Sequence, residues 1–456
     1  MVKKRFSFYL RSAIIMGMRK TIIGSSFLLI FLVSTSFALS LKESIDAALK
    51  NNPSVIAVQK KVDAANARLN QAVGAFFPTV KVEGSYGKIY SQPAVMQFTT
   101  QTSIGAVSTT QSFGTDAAAN SNGWKASLSQ PLFAAALLPG FKIAEKSYDL
   151  SKEDFRKAIQ ETTYDVTVAY FGLLSADKFL KLAEESLRLA KSHLAQVEAL
   201  LESGVATRAD LLRAEVQVAN FEVALTRARN ADELARNSFN NVLGRKLDEK
   251  VEITDVTLEK SITLPNYQYL LDRAFENRPD WKQYVYGKQI AEESLSLART
   301  AYFPTVFFNG QIGNQFTEFP AYKYSVNSWS MIGAASWTLF DGLGIQNRIK
   351  EAAANLEAQA ASEEQVRNAI ALEVRSAYLE LKTVLETITS SKKAVDFAEE
   401  SLKVSDLRFN SGVGTNLEVI DAQVALTQAK TDYLKAGFDM GVAKAKINKV
   451  VGGEVI

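Results

Sequence analysis

The stretch "AYFPTVFFNGQIG", residues 301 to 313, decides the fold, because the chain has already written it once: "AFFPTVKVEGSYG" stands at 75 to 87, 226 residues earlier. Other pairs fall into line around it. "NNPS" with Pro53 answers "NRPD" with Pro279 at the same offset, and later matches close up to 208: "VAY" ending at Tyr170 with "SAY" ending at Tyr378, "SGV" at 203 with 411, and "VLG" ending at Gly244 with "VVG" ending at Gly452. Echoes at fixed offsets are the mark of an internal duplication. The first copy carries about 18 or 19 extra residues between its FPT motif and Phe133. The reading is therefore three segments: 1–38, a first repeat at 39–244 and a second at 245–456.

Residues 1–38 read as a secretory signal peptide. They hold Lys3, Lys4, Arg5, Arg11, Arg19 and Lys20, no acids, and then the apolar run "TIIGSSFLLIFLVSTSFA" with a small-residue end. Met16 and Met18 are alternative starts. Without this segment 46 basic residues face 49 acidic ones, a net charge of −3 against +3 for the whole chain. Nothing in the remainder forms a dense Lys/Arg patch, so nucleic acid is not expected as a partner. After residue 38 no apolar run reaches the roughly 18 to 20 residues of a membrane helix. With no cysteine and a single histidine, His193, disulfide scaffolds, thiolate or multi-histidine metal sites and imidazole triads are excluded. No cofactor, metal or catalytic residue is expected.

Within each repeat the apolar period switches. Residues 42 to 76 have helical character. From about 80 to 90 a strand follows, with Val80, Val82, Tyr86 and Tyr90 opposite Lys81, Glu83 and Ser85. Residues 91 to 122, rich in Ser, Thr, Gln, Ala and Gly, read as a long solvated loop. Alternation resumes over about 122–133 with Trp124, Ala126, Leu128 and Leu132. In the second repeat the strands are about 305–318, with Val306, Phe308, Ile312 and Phe316 on one side, and 327–340, with Trp329, Met331, Ala335, Trp337 and Leu339. Trp329 and Trp337 lie roughly 26 Å apart along a strand, or roughly 20 Å vertically at the tilt of a membrane barrel. That spacing fits a lipid band with an aromatic belt formed by Trp124, Trp329 and Trp337.

Long helical hairpins follow, at 141–243 and 345–450. Their first arms, 141–203 and 345–410, contain no proline and would extend roughly 95 to 100 Å; the return arms, 208–243 and 416–449, are about half as long. In the first arm Leu180, Ala183, Leu187, Ala190, Leu194, Val197 and Leu201 step by three and four, the seam of a coiled coil. A return arm stacked end to end on the helix at 42–76 would match a long arm. Four membrane strands cannot close a barrel by themselves, so the chain must oligomerise. Dimer, trimer and tetramer would give 8, 12 and 16 strands, and the pattern does not choose among them.

The chain resembles the TolC family of outer-membrane efflux proteins. The residues that carry the resemblance are "LSLKESIDAALKNNPSV" at 39–55, the two FPT motifs, "LSQPLF" and "SWTLFDG" at the strand-to-helix joints, and the paired "SGV" turns. The resemblance implies a mixed α/β membrane protein: a homotrimer whose subunits each give four strands to a 12-stranded outer-membrane barrel, continued by a long periplasmic coiled-coil helical barrel. It implies a passive exit duct, not an enzyme, serving a tripartite efflux or type I secretion system with a periplasmic adaptor (membrane fusion) protein and an inner-membrane pump of RND or ABC type.

It also implies site residues. Gly204, Val205, Gly412 and Val413 at the hairpin tips would contact the adaptor. Glu418 and Asp421 would form acidic rings at the tunnel entrance, with Asp210 a further acidic partner and Phe409 an aromatic beside this periplasmic gate. Gly414 stands where a basic gate residue occurs in the family and Ala209 where a hydroxyl does, which points to an entrance held mainly by coiled-coil packing. From the residues alone, Thr415 with Glu418 reads as a capping box and Thr207 with Asp210 as a weaker one, and capping does not account for Asp421. The alternative function is an exported coiled-coil stalk without channel activity.

Overall fold

A computed structural model describes residues 38–113, 116–255 and 264–455. The signal segment falls outside them except for Ala38. The order of elements is α1 (Leu41–Asn51), α2 (Pro53–Gly74), β1 (Thr79–Ser91), β2 (Ala94–Thr102), β3 (Gly105–Phe113), β4 (Ala117–Ala134), α3 (Leu137–Glu202) and α4 (Arg208–Val242). Then come α5 (Tyr267–Asn277), α6 (Pro279–Arg299), a 3-10 turn (Thr300–Tyr302), β5 (Thr305–Glu318), β6 (Lys323–Ser336), α7 (Gly344–Asn410) and α8 (Asn416–Val451). Among the described residues no helix is long and apolar enough to cross a membrane.

Three sequence expectations change. The helix expected over 42–76 is two helices, because Pro53 has no N–H to donate and holds the preceding residue extended; Asn52 sits at φ −66°, ψ 122° and its side chain caps α2. The solvated loop expected at 91–122 contains a two-stranded hairpin, β2 with β3, and β4 begins at Ala117. That segment has polar β-formers, Thr and Gln, and pairing rather than burial satisfies its backbone. The last strand stops at Ser336, so Trp337, Leu339 and Phe340 lie beyond it. There the chain must turn into α7, which Asp341 caps by accepting the Ile345 N–H at 3.1 Å.

The main sheet has the order β1-β4-β5-β6, antiparallel throughout. Its register assembles two unlike faces. Tyr86, Asn122, Phe316 and Ser325 align, as do Val82, Ala126, Ile312 and Trp329; on the other face Lys81, Ser127, Gln311 and Ser330 form one row, and Glu83 pairs with Lys125 at 3.1 Å. One face is thus largely apolar and exposed, the other polar. That is the side-chain alternation of a barrel wall between lipid and a wet lumen.

The helices of 66 and 67 residues, α3 and α7, run roughly 100 Å each. In the half away from the sheet the packing order is α4-α3-α8-α7; nearer the sheet α2 and α6 take the places beside them. Each return helix ends against the start of a shorter one. Asn52 Nδ2 donates to the Val242 carbonyl at 2.9 Å, and Arg278 Nη1 donates to the Val450 carbonyl at 3.0 Å. The two largest apolar clusters lie at these junctions. One holds Val166, Tyr170, Leu173, Phe239 and Leu243; the other Leu270, Val374, Ala377, Leu381 and Ile447.

Candidate functional site at the helical tips

The helical end of the molecule is closed by two turns of the same build. At Gly204 (φ +77°) and Gly412 (φ +76°) the backbone enters the left-handed region, which glycine adopts without the Cβ penalty. The end carbonyls are satisfied alike: Val205 and Ala206 donate to the Leu200 carbonyl, and Val413 and Gly414 to the Arg408 carbonyl, at 2.8 to 3.1 Å. Val205 and Val413, at 67% and 71% exposure, project from the tips with none of the described residues covering them.

The caps that follow invert the expectation. Thr207 and Asp210 make the complete capping box: the Asp210 N–H donates to Thr207 Oγ1 at 3.2 Å and the Thr207 N–H to Asp210 Oδ2 at 3.1 Å. The Thr207 hydroxyl bond to this carboxylate, its N–H and the Asn416 side chain hold Asp210 below the ordinary carboxylate range, against the effect of burial. Thr415 accepts the Glu418 N–H at 3.3 Å, but the Glu418 carboxylate does not return the bond and lies 3.4 Å from Arg408 Nε. It is the charge on Arg408, one helix back, that diverts it. Asp421 is exposed one turn further along α8.

Phe409 joins the two hairpins. Its ring packs against Leu402, Val419, Ala422 and Leu426 of the second hairpin and against Val197, Leu211 and Ala214 of the first. Beside it are two residues that the sequence reading did not single out for the site. Asn416, 2% exposed, accepts from His193 Nε2 at 2.7 Å and donates to the Asp210 carbonyl at 2.9 Å. His193, 4% exposed, lies with its ring centre 5.3 Å from that of Phe409. A signal for His193 existed. The buried stripe of α3 here is Ser186, Ala190, His193 and Val197, stepping four, three and four, with Leu194 and Leu201 only partly buried at its flank. The leucine seam drew attention away from it. No sequence signal marks Asn416, which is buried by its partners alone.

At the other end, Trp124 and Trp329 share the apolar face of the sheet, level with Asn314 and Ile312 respectively. Trp337 lies at the helix-side rim, its indole N–H donating to the Tyr302 carbonyl at 3.0 Å. Phe76, Phe77, Phe133, Tyr302, Phe303 and Phe340 are exposed around the same rim. An amphipathic ring suits a membrane interface.

Comparison with known proteins gives the family and the fold. The profile of the family described as outer membrane efflux protein matches residues 44–245 and 270–453, and the chain belongs to that family. The alkaline protease secretion protein AprF of Pseudomonas aeruginosa is 23% identical over 428 residues, 93% of this chain and 86% of AprF. Outer membrane protein TolC of Escherichia coli is 21% identical over 346 residues, 73% of this chain and 70% of TolC. The crystal structure of the Campylobacter jejuni CmeC outer membrane channel superposes with a TM-score of 0.76 at 15% identity, covering 91% of this chain and 85% of CmeC. The protein is an outer membrane efflux protein, not an enzyme.

Proposed function

We propose that three copies of this chain form a passive exit duct gated at the helical tips. The observation that carries oligomerisation is the pair of open borders on each subunit, and the number three is what resemblance to the TolC family implies. β1 and β6 leave unpaired strand edges, which cannot persist in lipid. The outer helices of the row, α4 and α7, expose apolar stripes: Val216 and Val223 on one, Leu372, Leu379, Phe397 and Val404 on the other. Joining β6 to β1 and α7 to α4 of the next copy covers both borders at once. Three copies give a 12-stranded barrel over a ring of helices, with the polar sheet face lining the bore.

The tips then surround the entrance. Gly204, Val205, Gly412 and Val413 offer an adaptor protein two exposed valines per subunit on rigid, capped turns. An inner-membrane pump of RND or ABC type would supply energy and select cargo. AprF is named for secretion of a protease, and secretion and small-molecule efflux are both compatible with such a bore. Asp421 and Glu418 from three subunits would converge on the axis as the gate, and like charge there keeps it hydrated and attracts cations.

The test is single-channel conductance in planar bilayers, in simple salt and with divalent cations. Wild type is expected to show a small, cation-selective conductance that divalents block. Glu418→Ala combined with Asp421→Ala should change the conductance, weaken its cation selectivity and abolish the block. Conductance indifferent to the double substitution reduces the carboxylates to helix-cap and surface roles; absence of conductance from a folded oligomer supports the stalk.

A further inference from the structure

The hairpin of β2 and β3 leaves the sheet from its border strand. β1 ends at Ser91 and β2 starts at Ala94, so the hairpin stands beyond the end of β1 that lies away from the helices. Its strands pair only with each other among the described residues, and every residue of β2 is exposed. The composition does not suit water, because no charged residue occurs between Lys88 and Asp116. A lone two-stranded hairpin is marginal in water, and an uncharged one with open edges invites association.

The register gives this hairpin two unlike faces. Met96 lies opposite Gln111, Phe98 opposite Thr109 and Val107 opposite Thr100, which puts Met96, Phe98 and Val107 on one face, each about half exposed. The other face carries Gln97, Thr99, Ser108 and Thr110, with the Thr99 and Ser108 hydroxyls 3.2 Å apart. A surface that matches the apolar face stands at the turn between β5 and β6. There the Phe319 N–H donates to the Tyr322 carbonyl at 2.8 Å, and Tyr322 stacks on Phe319 and on Tyr324 with ring centres 5.0 and 6.3 Å apart. Phe319 is buried beneath, while Tyr322 and Tyr324 are exposed.

We propose that the apolar face of the β2/β3 hairpin docks on the Tyr322 and Tyr324 rings of the next copy of this chain. β1 and β6 are the two borders of the sheet. β1 runs away from the helices and β6 back toward them, so an antiparallel join between copies brings the Ser91 end of one level with the Lys323 end of the other. The two then stand one strand spacing apart, about 5 Å, whereas strands of nine residues reach roughly 30 Å. The contact continues the joined border past the end of the sheet, and it takes Met96 and Val107 out of water against aromatic rings, a favourable pairing for a thioether and for apolar area alike. The inference rests on the joining of copies through β6 and β1.

The chain has no cysteine, so introduced pairs report cleanly. Full-length protein carrying Met96→Cys with Tyr322→Cys, or Val107→Cys with Tyr322→Cys, is reconstituted in lipid vesicles, treated with a short bismaleimide and run on denaturing gels. Each single variant and the polar-face pair Gln97→Cys with Tyr322→Cys run beside them, and unheated samples report the oligomer. Because the contact passes head to tail around a closed ring, the two apolar-face pairs should give covalent trimers. The ladder should be lost in the single variants and in the polar-face pair, and Met96→Cys should be shielded from a water-soluble maleimide that labels Gln97→Cys. An intact oligomer with no ladder from either apolar-face pair, or with equal ladders from both faces, overturns the contact. Shielding of Met96→Cys without cross-linking assigns the cover to lipid or to another protein and overturns it as well. Failure of the underlying reading is distinguishable: unheated wild type then migrates as a monomer.

Discussion

Gly414 shows how one residue sets the chemistry of the tip. A Cβ there would stand 2.9 Å from Arg408 Cβ and 3.0 Å from the Phe409 nitrogen, so any side chain would push the turn off the end of α7. Position 414 carries no basic group, and the one beside Glu418 is Arg408, at 3.4 Å. Gly414→Ala should therefore cost about 1–3 kcal/mol through overpacking and part Arg408 from Glu418. Gly412→Ala meets no atoms and should cost only about 1 kcal/mol, from its left-handed backbone. Hydrogen exchange across 408–416 checks the ranking; equal exchange in the two variants would mean the turn shifts freely. Legibility at this scale was uneven. Glu418, Asp421 and the glycines stood out by position in a repeated motif, whereas the roles of Arg408 and Asn416 depend on what the turn brings beside them.

Among the elements, the junction of α5, α6, α7 and α8 carries a concentrated charge network. Arg278, with its side chain 10% exposed, makes two bonds to Asp280 at 2.9 and 2.6 Å, one to Glu373 at 2.6 Å and one to the Val450 carbonyl. Burial alone would raise the Asp280 carboxyl, but the Arg278 guanidinium overrides it and holds the group below its ordinary range. A carboxylate depressed in the folded state contributes stability above its unfolded value and loses it as pH falls through the folded one. Asp280→Asn should therefore lower the unfolding midpoint near neutrality, by about 2 kcal/mol given partial solvent access, and make stability less steep in pH below about 4. An unchanged acid limb in thermal melts would remove Asp280 from this role. Helices and strands were legible here because their periods of 3.6 and 2 are local, as with Val80 to Tyr90 against β1 (Thr79–Ser91). The hairpin at 94–113 was not, since its strands are Thr- and Gln-rich and bury little.

At the scale of the whole molecule, the exposed stripes on α4 and α7 are the surface that the proposed oligomer would cover. Phe397, 75% exposed in mid-helix, is the largest side chain on the α7 stripe. If the proposed trimer forms through this stripe, Phe397→Glu should disperse it: gel migration of unheated samples should shift from oligomer to monomer, while circular dichroism keeps its helical signal. A variant that stays oligomeric would place the subunit contact on another face of α7. The same substitution at an already solvated position such as Lys392 should leave the oligomer intact.

What the sequence determined by itself was the alphabet of the fold. Duplication at offsets of 226 and 208, alternation in the strands and unbroken helical runs are all properties of neighbouring residues, written into the chain before it folds. Only the tertiary structure decided which residues meet. His193 and Asn416 are 223 positions apart and Asn416 and Asp210 are 206 apart, joined because α3, α4 and α8 pack side by side. Burial in such a bundle depends on the rotation of each helix against three neighbours, a quantity that no local period encodes.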